Sequence, residues 1–455
     1  MEEKENVQMQ TQEENENNRI PAYGEFTQQP SEGQGKKAWK IIGCIALGVV
    51  IFLLGILTQW LIIEPEMRAL ILVKNKIDNE YYEEISDEEF YGAIFDTVNN
   101  RLLDAYSAYM TADEFASSQA ESAGNRSGLG LVFYVQDGKM QISRVCGNSP
   151  AERAKILAGE YVVGFGASET ELIRSESFDE FSAFLENYAQ GQTFTLLVKG
   201  INGKERQVSI AKAAYVESYV FYRTCDKGYS FTTGDSVSAF ENGTPISILP
   251  ADTGYIRLLQ FDGNASAAFA QAMQLFRAQG KKNLVLDMRG NGGGALDVVQ
   301  ELAKYFCKNA TERNPIAVFA DYGDKKVHFA ANANVYGEYF SADSRICVLA
   351  DEGSASATEC LIGCMLSYGA ISYADICLTE KDGVAKTYGK GIMQTTYYLD
   401  IFEKNAVRLT TAKILWPNGT CIHGRGILAQ DGTKTAAQSY DGERELNDAI
   451  ATLFP

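Results

Sequence analysis

The sequence predicts an α/β layer fold, preceded by a small β-rich domain, a helical segment and one membrane-spanning helix. Three observations predict it. From Tyr255 onward, buried-type strand patterns alternate with helical ones, as they do where helices stack on a sheet. Residues 124–213 carry short strand patterns separated by turn residues, with two short helices among them. Ile41 to Ile63 is an uncharged apolar run, about 35 Å long as a helix, which is enough to cross a bilayer's hydrocarbon layer.

In chain order, residues 1–40 come first. They are rich in Glu, Gln and Asn and read as a disordered acidic tail. Lys36, Lys37 and Lys40 precede the apolar run 41–63, and Glu64 and Glu66 follow it. The positive-inside rule then places the tail in the cytoplasm and everything after the run outside, as a single-pass membrane protein. The long lead and the lack of an Ala-x-Ala site favour an uncleaved anchor over a signal peptide. Residues 66–120 read as helices. Met67 to Ile77 has apolar residues at helical spacing, Ser86 with Glu89 forms a capping-box signature, and Phe90 to Tyr109 keeps an amphipathic pattern.

Within 124–213, GLGLVFYV, GKMQISRV, EYVVGFG, TFTLLVKG and KERQVSI read as strands, and an Asp137-Gly138 turn joins the first two. Ser149 caps a short helix with Pro150 at its first position, and Ser177 to Tyr188 is a second helix. In the region 214–440, YIRLLQF, NLVLDM and RICVLAD are strands. Ala265 to Gln279, Ala295 to Phe306 and Ser356 to Ser367 are helices, and residues 308–343 are less regular. Residues 441–455 form a terminal helix.

Composition excludes several functions. Asp and Glu number 59 against 41 Lys and Arg, a net charge of −18. Such a chain lacks the basic clusters that neutralise phosphates, so no nucleic-acid partner is expected, and anionic lipid should repel it. Only His328 and His423 are present, which disfavours His-based metal sites and relays. Of nine cysteines, eight lie outside the anchor, with no CxxC pair to suggest zinc. Cys360 and Cys364 fall one turn apart on a helix, where a bridge fits poorly, and buried free thiols are expected. No metal or organic cofactor is implied.

Three clusters carry chemistry. Gly353-Ser354-Ala355-Ser356-Ala357-Thr358-Glu359 follows a buried strand and opens a helix. A serine at such a turn, Ser354 or Ser356, has an exposed hydroxyl beside free backbone N–H groups and a helix dipole that favours negative charge. Asp287-Met288-Arg289-Gly290-Asn291-Gly292-Gly293-Gly294 also follows a buried strand. Its glycines permit a sharp turn that presents N–H groups to an anion, without the Gly-Lys-Ser/Thr ending of a phosphate loop. In Tyr388-Gly389-Lys390-Gly391-Ile392-Met393-Gln394, small neighbours let an amine be packed closely, and desolvation lowers its pKa. A neutral amine can take a serine's proton, and Gln394 can orient it. Together the clusters supply a nucleophile, a base and an oxyanion site, the parts of acyl transfer.

The ordered set GLGL, SPAERAKILAGEYVVGFG, YIRLLQF, LDMRGNGGG, GSASATE and YGKGIMQ resembles the C-terminal processing peptidases, the tail-specific proteases. The likeness runs over residues 66–431. It implies an α/β protease core of crotonase-like layered sheet and helices, with an inserted PDZ domain at 124–213. It also implies Ser356 as nucleophile, Lys390 as general base and Gln394 beside it, with Ala357 and Gly293 as oxyanion donors. The Gly128-Leu129-Gly130-Leu131 loop would bind a substrate's terminal carboxylate, with an apolar last side chain alongside. Relative to the family, the interval from Ser356 to Lys390 is longer, Gly292 replaces a proline, Lys155 replaces a glycine, and GILAQDG replaces Gly-Ile-x-Pro-Asp. The implied activity is that of a serine endopeptidase acting on proteins with apolar C-termini, with a homodimer as a further possibility. The alternatives are a catalytically weak or inactive PDZ scaffold at the cell surface and a small-molecule acyl-transfer enzyme.

Overall fold

The computed structural model describes residues 34–136, 139–232, 237–241, 245–309, 315–320, 326–330, 333–399, 404–439 and 442–454. The expected acidic tail, up to residue 33, and the Asp137-Gly138 turn lie outside them. The chain divides into two compact units, Met1–Ala93 and Ile94–Pro455.

In the first unit, Gln34–Ile62 is one helix. Its stretch Trp39–Ile62 has every side chain exposed, and is long and apolar enough to cross a membrane. Pro65 opens the next helix, Pro65–Glu80, at a position where its missing N–H costs nothing. The amine of Lys74, buried on that helix, reaches Asp78 and Asp87 and lies 5.6 Å from the Phe90 ring centroid.

The second unit contains the small β-rich domain. A ribbon of Asn125–Gly128 against Ala213–Val216 leads into and out of it. Its sheet runs Leu131–Gln136, Lys139–Val145, Tyr161–Gly166, Thr193–Lys199, Glu205–Ala211, with Leu172–Ile173 beside Tyr161–Gly166. Alternate residues point inward, so Met140, Ile142, Val162, Phe194, Leu196 and Val198 form a core closed by Phe181 of the helix Phe178–Glu186. Ser149 caps the short helix Pro150–Arg153 by accepting from Glu152 N at 3.1 Å. Leu131–Gln136 is an edge strand of this sheet, with Val132, Tyr134 and Val135 exposed.

The larger domain is built on a sheet of nine described strands. Thr253–Leu258, Asn283–Asp287, Ile346–Ala350, Ile376–Lys381 and Lys434–Ala437 run parallel as neighbours. Val220–Arg223, Gly228–Thr232 and Ser238–Glu241 extend one side antiparallel. The strands are apolar on both faces because both are covered. Leu284, Leu286, Val348 and Ala350 pack with the helices Ala265–Ala278, Leu296–Ala303 and Ala357–Ser367. Val285, Cys347 and Leu349 pack with Leu446, Ala449, Ile450 and Leu453 of the helix Gly442–Leu453.

A second sheet orders Ala108–Met110, Ala406–Leu415, Pro315–Ala320 and Lys326–Ala330, with Ile392–Tyr398 also on Ala406–Leu415. It corrects two expectations. The helical pattern through Tyr109 breaks at Thr97, followed by a wide turn at Val98–Leu102 and a strand. The Asn99 side chain is the reason. It accepts from Tyr109 N at 2.7 Å and donates to Tyr109 O at 3.1 Å, holding that residue extended for pairing with Val407. The stretch 308–343, expected to be less regular, contributes two strands among its described residues.

Candidate active site

Parallel strands aim their carboxyl ends at one edge of the sheet, where loops from adjacent strands converge. The loops after Asp287 and after Ala350 meet there. Ala355 N donates to Asn291 O at 3.0 Å and Thr358 Oγ1 donates to the same oxygen at 2.8 Å. Gly293 lies so close to the serine turn that a Cβ on it would fall 2.8 Å from Ser356 Cβ and 2.9 Å from Ala357 N.

The glycine loop is rigidly based. Asp287, fully buried, accepts from Tyr255 Oη at 2.7 Å, Arg289 Nε at 2.9 Å and Arg289 Nη2 at 2.6 Å, and pairs with Arg257. Burial alone would raise this carboxyl, but Arg257 and Arg289 hold it well below the usual carboxylate range. Arg289 also reaches Glu445 at 2.7 Å on the helix Gly442–Leu453.

The two candidate serines separate by role. Ser354 is buried, its hydroxyl donating to Met288 O at 2.8 Å and accepting from Asp351 N at 2.9 Å, which makes it a brace between the loops. Ser356 is half-buried at the head of the helix Ala357–Ser367, with φ +57°. A serine in this strained left-handed region costs about 1–3 kcal/mol, and such strain clusters at functional turns. Ala357 is the helix's first residue and is buried against the glycine loop.

Lys390 lies two residues before the strand Ile392–Tyr398 and Gln394 lies within it, where Met393 and Gln394 form a bulge. Glu359, buried on the serine's helix, joins the two halves of the site. Its Oε2 accepts from Ser356 N at 3.0 Å and Lys390 N at 2.9 Å, and its Oε1 accepts from Gly389 N at 2.8 Å and Thr387 Oγ1 at 2.5 Å. Burial pushes the Glu359 carboxyl up, against these four donors. Burial pulls the Lys390 amine below its ordinary value, Arg408 lowers it further, and Asp104 opposes both. The amine lies 4.5 Å from the Tyr106 ring centroid. Among the described residues, no hydrogen bond joins it to Ser356 Oγ.

Gly293 N–H donates to Asn291 Oδ1 at 3.0 Å. Gln394 Nε2 donates to Thr410 Oγ1 at 3.1 Å on the neighbouring strand, and among the described residues no hydrogen bond joins its side chain to Lys390. The Gly128–Leu131 loop stays within the small domain. Leu129 O accepts from Ala151 N at 2.9 Å and Gly130 O from Cys146 N at 2.8 Å. No hydrogen bond links this loop to Ser356, Lys390 or Gln394 among the described residues. Sequence reasoning missed Glu359, whose signal was available: a Ser with Glu three residues on is a capping box. It also missed Asp104, Tyr106 and Arg408, which no local pattern marks.

Beside the glycine loop is a cavity of 690 Å³ whose lining includes Phe115, Asp262, Ala295, Thr396, Tyr398 and Arg408. Among the described residues, no group of three His, Cys, Asp or Glu could hold a metal ion.

The fold thus brings a serine turn, a glycine loop and a partly desolvated lysine to one edge of the sheet. Residues 252–430 match the model of Peptidase family S41. A "Probable CtpA-like serine protease" of Staphylococcus saprophyticus is 27% identical over 80% of this chain and 64% of that protein. One of the same description from Staphylococcus haemolyticus is 25% identical over 89% of this chain and 74% of that protein. The chain thus spans about two thirds of the length of these curated relatives. A crystal structure from Bacteroides fragilis, assigned to the S41 proteases, shares the fold with a TM-score of 0.52 at 15% identity, covering 82% of this chain and 90% of that one.

Proposed function

We propose that this chain is a membrane-anchored serine endopeptidase that cleaves proteins near their C-termini with Ser356 and Lys390. The observation that carries the reading is the Glu359 carboxylate, whose single oxygen Oε2 takes N–H groups from both residues. A buried acceptor shared in this way fixes the nucleophile's turn against the base's strand.

In this reading, Lys390 in its neutral form takes the proton of Ser356 Oγ. The oxygen attacks a peptide carbonyl, and the negative oxygen that develops meets Ala357 N–H at the helix's positive end. Gly293 N–H joins it once Asn291 gives it up. The new ammonium of Lys390 returns the proton to the leaving amine. Water then attacks the acyl-enzyme, with Lys390 again as base, and releases Ser356.

Residues 124–213 serve as a PDZ domain. An extended substrate tail adds to the exposed edge strand Leu131–Gln136, and its carboxylate meets the Gly128–Leu131 loop. Phe133 and Phe178, 5.9 Å apart between that strand and the helix Phe178–Glu186, offer an apolar seat for the last side chain. The helix Trp39–Ile62 anchors the chain, with its N-terminus in the cytoplasm and the peptidase outside.

The test compares cells carrying wild-type protein with cells carrying Ser356→Ala, searching for new C-termini on secreted and surface proteins. Purified Ser356→Ala should bind an apolar-tailed protein and leave it uncut. Cleavage at the wild-type rate by this variant overturns the reading, and binding with no cleavage by the wild type supports the non-catalytic scaffold.

A further inference from the structure

Tyr106 lies in the segment between the wide turn Val98–Leu102 and the strand Ala108–Met110, far from the catalytic motifs in sequence. The fold nonetheless brings it to Lys390, whose amine lies 4.5 Å from its ring centroid, within cation–π range. Tyr106 is held at its phenol and at its backbone. Its phenol donates to Tyr388 Oη at 3.1 Å, two residues before Lys390, and Tyr388 N donates to Ser354 O at 3.0 Å. Its own N–H donates to Asp104 Oδ1 at 2.9 Å. The next residue, Ser107, accepts from Thr410 N at 2.9 Å, and Thr410 holds Gln394. One short segment thus braces both the lysine and the glutamine.

Lys390 faces Asp104 and Tyr106 on this segment and Arg408 on the strand Ala406–Leu415, while Glu359 holds its backbone. The bond with Tyr388 and burial push the Tyr106 phenol up to about 12. The ring therefore stays neutral through the working range and presents a π-face to the amine.

We propose that Tyr106 is a positioning residue for the general base: its ring seats the Lys390 ammonium between turnovers, and the amine leaves that seat to reach Ser356. The ammonium first gives its proton to water, and the neutral amine, no longer attracted by the ring face, swings to accept the proton of Ser356 Oγ. This rests on the Ser–Lys reading above.

The experiment measures kcat/KM against pH for the full-length protein in detergent, as wild type, Tyr106→Phe, Tyr106→Leu and Lys390→Ala. Leucine keeps apolar bulk but removes the π-face that favours the charged amine. The acid limb of Tyr106→Leu should move to lower pH by about half a unit, while that of Tyr106→Phe stays in place whatever its rate. A limb that stays or rises in Tyr106→Leu, with Lys390→Ala inactive, overturns the role of Tyr106 and leaves the Ser–Lys reading standing. Full activity in Lys390→Ala overturns both. Should the leucine variant not fold, NMR of the lysine ε-methylene protons in Ser356→Ala decides. The Lys390 resonance, assigned by its loss on adding Lys390→Ala, should be displaced upfield by the ring current. An undisplaced resonance overturns the proposal.

Discussion

Ser356 and Lys390 donate their backbone N–H groups to one and the same oxygen, Glu359 Oε2, at 3.0 and 2.9 Å. All four hydrogen bonds recorded at this carboxylate come from donors, so an amide cannot replace it without turning an NH₂ toward at least one of them. Each buried donor left unpaired costs about 1–3 kcal/mol. Glu359→Gln should lower kcat by about 100-fold with little change in KM, because the substrate still binds while base and nucleophile lose register. Steady-state kinetics on a tail peptide checks this.

Activity should rise from acid toward mild alkali as Lys390 loses its proton. Burial and Arg408 lower this amine, so Arg408→Gln raises it and moves the acid limb to higher pH. Asp104 favours the ammonium, so Asp104→Asn moves the limb to lower pH. Lys390→Arg should be inactive throughout, since a guanidinium stays protonated. A pH–rate series over these variants reads the three directions.

Adjacent glycines in the loop should respond in opposite ways. A Cβ on Gly293 would lie 2.8 Å from Ser356 Cβ and 2.9 Å from Ala357 N, at φ +106°. Gly293→Ala should therefore displace the serine turn and reduce kcat by at least about 100-fold. A Cβ on Gly292 meets nothing within 4 Å, and Gly292→Ala should change stability by no more than about 0.5 kcal/mol. Thermal unfolding together with kcat separates the pair.

The Asp287 cluster predicts an acid-labile domain. Its folded-state pKa is depressed, so the stability it contributes is complete above the ordinary carboxylate value near about 4 and is lost as pH falls below it. Asp287→Asn should cost about 3 kcal/mol at neutral pH, leaving Arg257 and Arg289 without their counter-charge, and should flatten the acid dependence. Denaturant midpoints across pH give both numbers.

The packing of the serine's helix gives a further test. A Cβ on Gly363 would come within 2.2 Å of the buried Trp416 ring, so Gly363→Ala should destabilise the fold by about 1–3 kcal/mol. Calorimetry of the variant checks it.

Local patterns made much of this architecture legible. The helix Ala357–Ser367, the glycine loop and the strands beneath them follow from apolar runs ended by small residues. The local turn pattern alone does not separate Ser354 from Ser356, which only the resemblance distinguishes, and the reach of Ser354 Oγ to Met288 O, across 66 positions, shows Ser354 to be a brace. The surroundings of Lys390 were not legible. Tyr106 and Arg408 arrive through the pairing of Ala108–Met110 with Ala406–Leu415, a contact across almost 300 positions that no periodicity encodes. The bond between Gly293 N and Asn291 Oδ1 is a side-chain torsion, and composition carries no trace of it.

The bond from Arg289 to Glu445 has a consequence for how the protein is born. A ribosome makes residue 289 long before residue 445, so the emerging chain holds its glycine loop for a time without that clamp. Until the helix Gly442–Leu453 folds back, Arg289 has Asp287 as its partner but not Glu445, so the loop gains its last tether only when the chain's far end docks.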